Sequence, residues 1–180
     1  MSEVKRLNWG CGSWIEPGWI NSDIKPDQGA DLVCDIRDGL TLDSESVDYA
    51  VSIHALPEFT CAEIVTVLAE LHRVIKPGGV LRLAVPDLFK AISAYQRGDK
   101  SYFLIPDWEA RSLGAKLVMQ MLWYGYSKTV FTGEFLEEML LKAGFAEVRH
   151  CSYKETKSEL PEIVTLDNRE AESLFVEGYK

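Results

Sequence analysis

The sequence predicts an α/β protein built on a doubly wound, mostly parallel sheet. Three observations carry that expectation. Short apolar runs alternate with turn residues through the first half of the chain. One of them, Val47 to Ile53, is apolar at nearly every position on both faces, the mark of a strand covered on both sides. It is followed by a helix with clear start and stop signals and then by another apolar strand. Strand, helix, strand is a βαβ unit, whose crossover is right-handed.

The elements follow in order. Val4 to Trp9 reads as a strand closed by Gly10-Cys11-Gly12. A second strand fits Trp19 to Asp23, between Pro17-Gly18 and Pro26, and a third fits Leu32 to Cys34, ending at Asp35. After Val47–Ile53, Thr60-Cys61-Ala62-Glu63 is a capping box, with Thr60 as N-cap and Glu63 reaching back. Ile64, Leu68, Leu71 and Ile75 share one helical face. Lys76-Pro77-Gly78-Gly79 stops that helix, and Val80 to Val85 is the next strand. Residues 88–131 are rich in aromatic residues, with helices expected at 88–97 and 108–123, and read as a helical insertion or lid. Thr132 caps a helix that runs to Ala143, with Gly144 as its C′ residue. Ala146 to Cys151 is a strand, 152–171 a polar connection, and Leu174 to Tyr179 a last strand.

The 180 residues suit one domain spanning 1–180. The charge balance is 19 basic against 28 acidic residues, −9 formally, with no Lys/Arg cluster. Such a surface repels a phosphate backbone, which argues against nucleic acid as partner. The most apolar run, Val80 to Val85, is too short to cross a bilayer and holds an arginine. Met1 to Arg6 leads straight into expected structure without a signal-peptide pattern. Cys11, Cys34, Cys61 and Cys151 have neither disulfide nor metal spacing. A cytoplasmic protein with reduced thiols and no metal is expected.

Open α/β sheets bind ligands beyond the carboxyl ends of their strands, where strand order reverses. The residues there are Gly10-Cys11-Gly12, Asp23-Ile24, Asp35-Ile36, His54 and Pro86-Asp87. The two glycines let the backbone bend and approach a ligand without a Cβ; a mere tight turn would also use them. Asp23 could accept hydrogen bonds from both hydroxyls of a ribose, or cap a loop. Asp35 could accept from an adenine amino group, or close a surface turn. Together, in this order, they point to a nucleoside. The connection from Trp9 to Trp19 is about nine residues, below the ~10–12 of a full crossover, so helices around the second strand should be short or missing. A pyrophosphate wants a helix N-terminus and a third glycine; here Ile15 stands at that position. NAD and FAD are therefore disfavoured.

Leu7-Asn8-Trp9-Gly10-Cys11-Gly12 resembles the first motif of the class I S-adenosylmethionine-dependent methyltransferases, of the small Leu-Asn-x-Gly-Cys-Gly type. Trp19 to Ile24 resembles the second strand of that family with its ribose-binding acid, and Cys34-Asp35 its adenine-side motif. Leu71-His72-Arg73-Val74-Ile75-Lys76-Pro77-Gly78-Gly79 resembles the family's helix-to-strand signature, the most specific of the set, and Ala143-Gly144-Phe145 continues the likeness. The resemblance implies a Rossmann-like sheet of seven strands with the last antiparallel. It also implies S-adenosylmethionine as cofactor, held by Asn8, Gly10, Cys11, Gly12, Asp23, Ile24, Asp35 and Ile36. Where many relatives carry His-x-Leu-Glu-His, this chain reads His54-Ala55-Leu56-Pro57-Glu58.

Methyl transfer needs orientation more than a nucleophile from the protein. His54 is the candidate base for a hydroxyl acceptor, with a pocket-lining residue as the other reading. Asp87, Trp123 and Tyr126 are candidates for contact with a small-molecule methyl acceptor; Asp87 could equally be a helix N-cap, and the aromatic residues core. Trp9, Trp14 and Trp19 are expected to cover sheet surface bared by missing helices, or to join a partner in a homodimer. A methyltransferase-fold protein that only binds a nucleoside or a protein partner is the alternative, and an aminopropyl transferase a weaker one.

Overall fold

The computed structural model describes residues 4–180; Met1 to Glu3, in the N-terminal stretch read above, lie outside them. Seven strands form one sheet: β1 (Arg6–Trp9), β2 (Ile20–Asp23), β3 (Leu32–Val33), β4 (Val47–Ile53), β5 (Ile75–Pro86), β6 (Glu147–Cys151) and β7 (Ser173–Tyr179), in the order β3-β2-β1-β4-β5-β7-β6. The pairs among the first five strands are parallel. β7 runs antiparallel to both β5 and β6. The chain starts at the middle of the sheet, builds outward to β3, then returns to place β4 beside β1. That reversal puts a crevice at the carboxyl ends of β1 and β4.

Four α-helices accompany the sheet: α1 (Cys61–Val74), α2 (Leu88–Gln96), α3 (Leu113–Leu122) and α4 (Gly133–Lys142). The cap of α1 forms as read, with the Thr60 amide donating to Glu63 Oε2 at 2.8 Å. Ile64, Val67, Leu68 and Leu71 of α1 and Leu136 and Leu140 of α4 are buried against Leu7, Ala50, Leu81 and Leu83 of the sheet. The apolar stripe of each helix thus covers one sheet face.

The other face is covered differently. Only a 3₁₀ turn, Pro26–Gln28, lies between β2 and β3, and no helix lies between β1 and β2. Trp19, Tyr49, Val51 and Val80 instead pack with Ile163, from the segment between β6 and β7. Arg82 of β5, fully buried, anchors that segment. Its guanidinium donates to both oxygens of Asp167 at 2.8 and 2.6 Å and to Glu177 Oε1 at 2.8 Å. The polar connection expected over 152–171 is therefore the second layer of the protein. Its polarity serves a buried charge network, because a buried cation persists only when fully paired. Trp19 covers sheet surface left bare by the missing helices, as expected, whereas Trp9 lies on the face that α1 and α4 cover and Trp14 is 72% exposed.

Two boundaries differ from expectation. β5 begins at Ile75, which pairs with Val47, before a register shift places Val80 beside Tyr49. The residues that stop α1 therefore already belong to the sheet. A Cβ on Gly79 would lie 2.5 Å from the Asp48 carbonyl oxygen, so only glycine fits this crossing. α3 starts at Leu113 rather than 108, because Ser112 is its N-cap, accepting from the Ala115 amide at 3.2 Å.

Candidate functional site

The bend after β1 forms the floor of the crevice. The amides of Gly10 and Cys11 both donate to the Ser22 carbonyl, at 2.8 and 3.1 Å. Gly10 has φ +67°, and a Cβ there would lie 2.2 Å from the Ala55 Cβ. The site thus requires glycine for its backbone and for its space. Gly12 has φ +52° with nothing within 4 Å of a Cβ. Its amide donates to Asp23 Oδ2 at 2.8 Å, and the Lys25 amide donates to Oδ1 at 3.0 Å. Glycine bend and carboxylate therefore converge, although they come from different strands.

They open on a cavity of about 510 Å³, within the range of small-molecule sites. Of the residues expected at a cofactor, Gly10, Cys11, Gly12, Asp23, Ile24, Asp35 and Ile36 line it. Asn8 does not. It is buried behind the bend, donating from Nδ2 to the Trp14 carbonyl at 2.8 Å and to Asn21 Oδ1 at 3.0 Å. Asn21 in turn donates to the Glu16 and Trp19 carbonyls. These side-chain amides satisfy the loop backbone that a helix would otherwise satisfy, so Asn8 braces the loop.

Asp35 is already occupied. Arg37 donates to its carboxylate from Nε, Nη2 and its own amide, and these bonds hold the carboxyl below its usual range. Burial, with the nearby Asp23 charge, pushes the Cys11 thiol up to about 11, so it is inert.

His54 follows β4 with φ +60° and lines the same cavity. Its Nε2 shares a hydrogen bond with Ser173 Oγ at 2.7 Å. Burial, then the nearby Arg169 charge, pushes the imidazole down to about 3, so it is neutral at pH 7. Glu58 lies on the wall beside it, and desolvation there raises its carboxyl, with Asp23 acting in the same sense against Lys25 and Lys128.

The chain leaves the sheet at Asp87 and returns at Phe131, where the two form a parallel bridge. Between them, α3 ends in a sharp bend: Trp123 and Tyr124 have φ +40° and +58°, and Gly125 +89°. Successive left-handed residues other than glycine are costly and cluster at functional sites. The bend sets Trp123 and Tyr126 on the cavity wall. Asp87 is elsewhere. It caps α2, accepting from the amides of Phe89 and Lys90 at 2.8 and 3.3 Å, and borders a separate hollow with Ser93, Arg97 and Tyr102. The helix-cap reading of Asp87 is the correct one.

Several lining residues had no signal in the sequence. Gln120 lies on α3, whose lining face is not marked by any motif. Lys128 arrives because its amide donates to the Pro57 carbonyl at 2.8 Å. Arg169 and Glu172, ion-paired at 3.0 Å, come from the segment that covers the second sheet face.

Residues 17–83 match the family model described as a methyltransferase domain, a span that includes Asp23, Asp35, His54, α1 and most of β5. Solved structures with this arrangement include a SAM-dependent methyltransferase from Archaeoglobus fulgidus, 15% identical with TM-score 0.62 over 98% of this chain and 86% of that one. One from Thermotoga maritima is 18% identical with TM-score 0.59, covering 100% and 84%. One from Mesorhizobium loti is 20% identical with TM-score 0.56, covering 100% and 94%. The chain has the class I methyltransferase fold. The resemblance read from its motifs is borne out by the family model and by these folds. The methyltransferase sheet here lacks helices around β2, as its short connections required. No curated protein matches the sequence. Among the described residues no helix is long and apolar enough to cross a membrane.

Proposed function

We propose that the chain binds S-adenosylmethionine in this cavity and transfers its methyl group to a small-molecule acceptor. The observation that carries the reading is the 2.8 Å bond from the Gly12 amide to Asp23 Oδ2 at the rim of the cavity. It fixes a carboxylate beside a bend that no side chain obstructs. The residues suit a nucleoside without phosphates. No helix starts at the bend to offer its N-terminus to a pyrophosphate. The four lining cations, Lys25, Arg37, Lys128 and Arg169, are matched by the carboxylates of Asp23, Asp35, Glu58 and Glu172, with Arg37 paired to Asp35 and Glu63 and Arg169 to Glu172.

Bound there, the cofactor supplies an electrophilic methyl group. Asp23 accepts from the ribose hydroxyls with the lone pairs left by Gly12 and Lys25. Ile24 and Ile36 flank the adenine, and Asp35, steadied by Arg37, presents an acceptor toward its amino group. Trp123 and Tyr126 hold the methyl acceptor and exclude water. A neutral His54 of such low basicity does not deprotonate a hydroxyl in advance. With Nε2 donating to Ser173 Oγ, Nδ1 would be the ring nitrogen left to take a proton as the new bond forms. That weak basicity also favours the second reading, a fold that binds the nucleoside without turning it over.

Calorimetric titration with S-adenosylmethionine and S-adenosylhomocysteine tests the proposal. One-site binding of both is expected; no heat and no thermal shift at millimolar ligand overturns it. Incubation of methyl-labelled cofactor with a small-molecule extract separates the two readings, since only an enzyme moves the label.

A further inference from the structure

Some charges on the cavity wall are spent within the protein and others are open. Arg37 pairs with Asp35 and Glu63, and Arg169 with Glu172. Asp23 takes the Gly12 and Lys25 amides. Glu58, Lys25 and Lys128 are exposed and line the same cavity. Among the described residues none of their three charged groups has a hydrogen-bond or ion-pair partner, so a ligand can reach each of them. The charges that act on Glu58 are those of Lys25, Asp23 and Lys128. Lys25 stands at the ribose side, its amide on Asp23. Lys128 is tied beside Glu58: its amide donates to the Pro57 carbonyl at 2.8 Å, and the Thr129 amide donates to the same oxygen at 3.2 Å. One stretch of wall thus offers an open carboxylate and an open ammonium that do not pair with each other. A simple cation or anion there is repelled by one of the two. A zwitterion is attracted by both, and an α-amino acid carries its ammonium and its carboxylate on one carbon.

We propose that Glu58 and Lys128 clamp the amino-acid end of the cofactor, Glu58 accepting from its α-ammonium and Lys128 donating to its α-carboxylate. The proposal rests on the cavity being the S-adenosylmethionine site. Glu58 lies within electrostatic reach of Asp23, so one ligand can rest its ribose on the first and its amino acid on the second pair of groups. The clamp then separates a nucleoside with an amino-acid tail from one without.

The test is calorimetric and uses ligands with a neutral sulfur, so that a sulfonium charge plays no part. S-adenosylhomocysteine is compared with methylthioadenosine, which lacks the amino acid, with its own decarboxylated analogue, which keeps the amine, and with its deaminated analogue, which keeps the carboxylate. The parent is expected to bind S-adenosylhomocysteine about tenfold or more tighter than methylthioadenosine, and tighter than either partial analogue. Glu58→Gln should weaken S-adenosylhomocysteine and the decarboxylated analogue at least threefold more than it weakens methylthioadenosine, and spare the deaminated one. Lys128→Met should weaken S-adenosylhomocysteine and the deaminated analogue by the same margin, and spare the decarboxylated one. Lys25→Met should change S-adenosylhomocysteine and methylthioadenosine alike. Equal affinity of the parent for those two, or losses in folded variants that are the same for every ligand, overturns the clamp. A selective loss with Lys25→Met and none with Lys128→Met overturns the assignment of the carboxylate. Should a variant not fold, the four ligands on the parent still decide. Methylthioadenosine that binds while the clamp fails leaves the nucleoside site standing, whereas no binding of any of the four removes the reading beneath it.

Discussion

Replacing Asp23 by Asn removes one charge and one acceptor oxygen and almost nothing else. In the parent, one carboxylate oxygen takes the Gly12 amide at 2.8 Å and the other the Lys25 amide at 3.0 Å. Each oxygen keeps a lone pair for a ribose hydroxyl. Hydrogen bonds to a charged group contribute ~1.5–3 kcal/mol each. Asn holds one backbone amide with its only acceptor oxygen, so one ribose bond is lost and the other is no longer charge-assisted. The expected loss is about 2–4 kcal/mol, or about 30- to 1,000-fold in affinity for S-adenosylhomocysteine by calorimetry. Asp35→Asn is the internal comparison. That carboxylate is committed to Arg37, so less than about tenfold is expected. A folded Asp23→Asn protein within threefold of the parent refutes the placement of the ribose.

Three other outcomes follow from the geometry. Arg82→Met leaves the Asp167 and Glu177 carboxylates buried without their cation and should cost about 3–5 kcal/mol in urea unfolding at pH 7. In the parent, despite burial, bonds from Thr156, Tyr179 and Lys157 hold Glu177 below its usual range, so stability falls as pH falls. In the variant Glu177, buried without its cation, is raised instead, so the gap between the proteins narrows as pH falls; a gap independent of pH contradicts this. The folded pKa of His54, about 3, lies below its unfolded value near ~6.5. It therefore contributes stability above pH 6.5 that is lost between 6.5 and 3, at up to ~1.4 kcal/mol per pH unit. His54→Gln should flatten the slope of unfolding free energy against pH by that amount, and an unchanged slope would place the imidazole in water. Gly10→Ala drives a Cβ to 2.2 Å from Ala55 at positive φ and should cost more than the ~1 kcal/mol of a strained backbone alone. Gly12→Ala, with open space around it, should cost about that ~1 kcal/mol while blocking the ligand; equal melting temperatures for the two variants would contradict the packing.

Much of this was legible in the chain because local signals agreed with the global fold. Val47–Ile53 is apolar on both faces and is a central strand. Thr60 and Glu63 cap α1, and Thr132 caps α4 by accepting from the Phe135 amide. The bend at Gly10–Gly12 and the acid at 23 were visible as strand-end residues. What stayed hidden depends on long-range contact. Asn8 reads like its neighbours in a binding motif, yet its partner Asn21 thirteen residues on turns it inward. Arg169 and Glu172 reach the site only because Arg82, more than eighty residues earlier, fastens the segment through Asp167. Nothing local to 152–171 marks it as a structural layer. Gln120 is buried on α3 beside Lys116 and Met121, and no local pattern marks it as reaching the cavity.

The decisive measurement is a crystal structure grown with S-adenosylhomocysteine. Density for the adenosine should lie along the bend of residues 10 to 12, with both ribose hydroxyls within hydrogen-bonding distance of the acid at the end of β2 and the sulfur turned toward the aromatic wall. Ligand bound anywhere else, or well-ordered crystals in which that space holds only solvent at saturating ligand, would contradict the account.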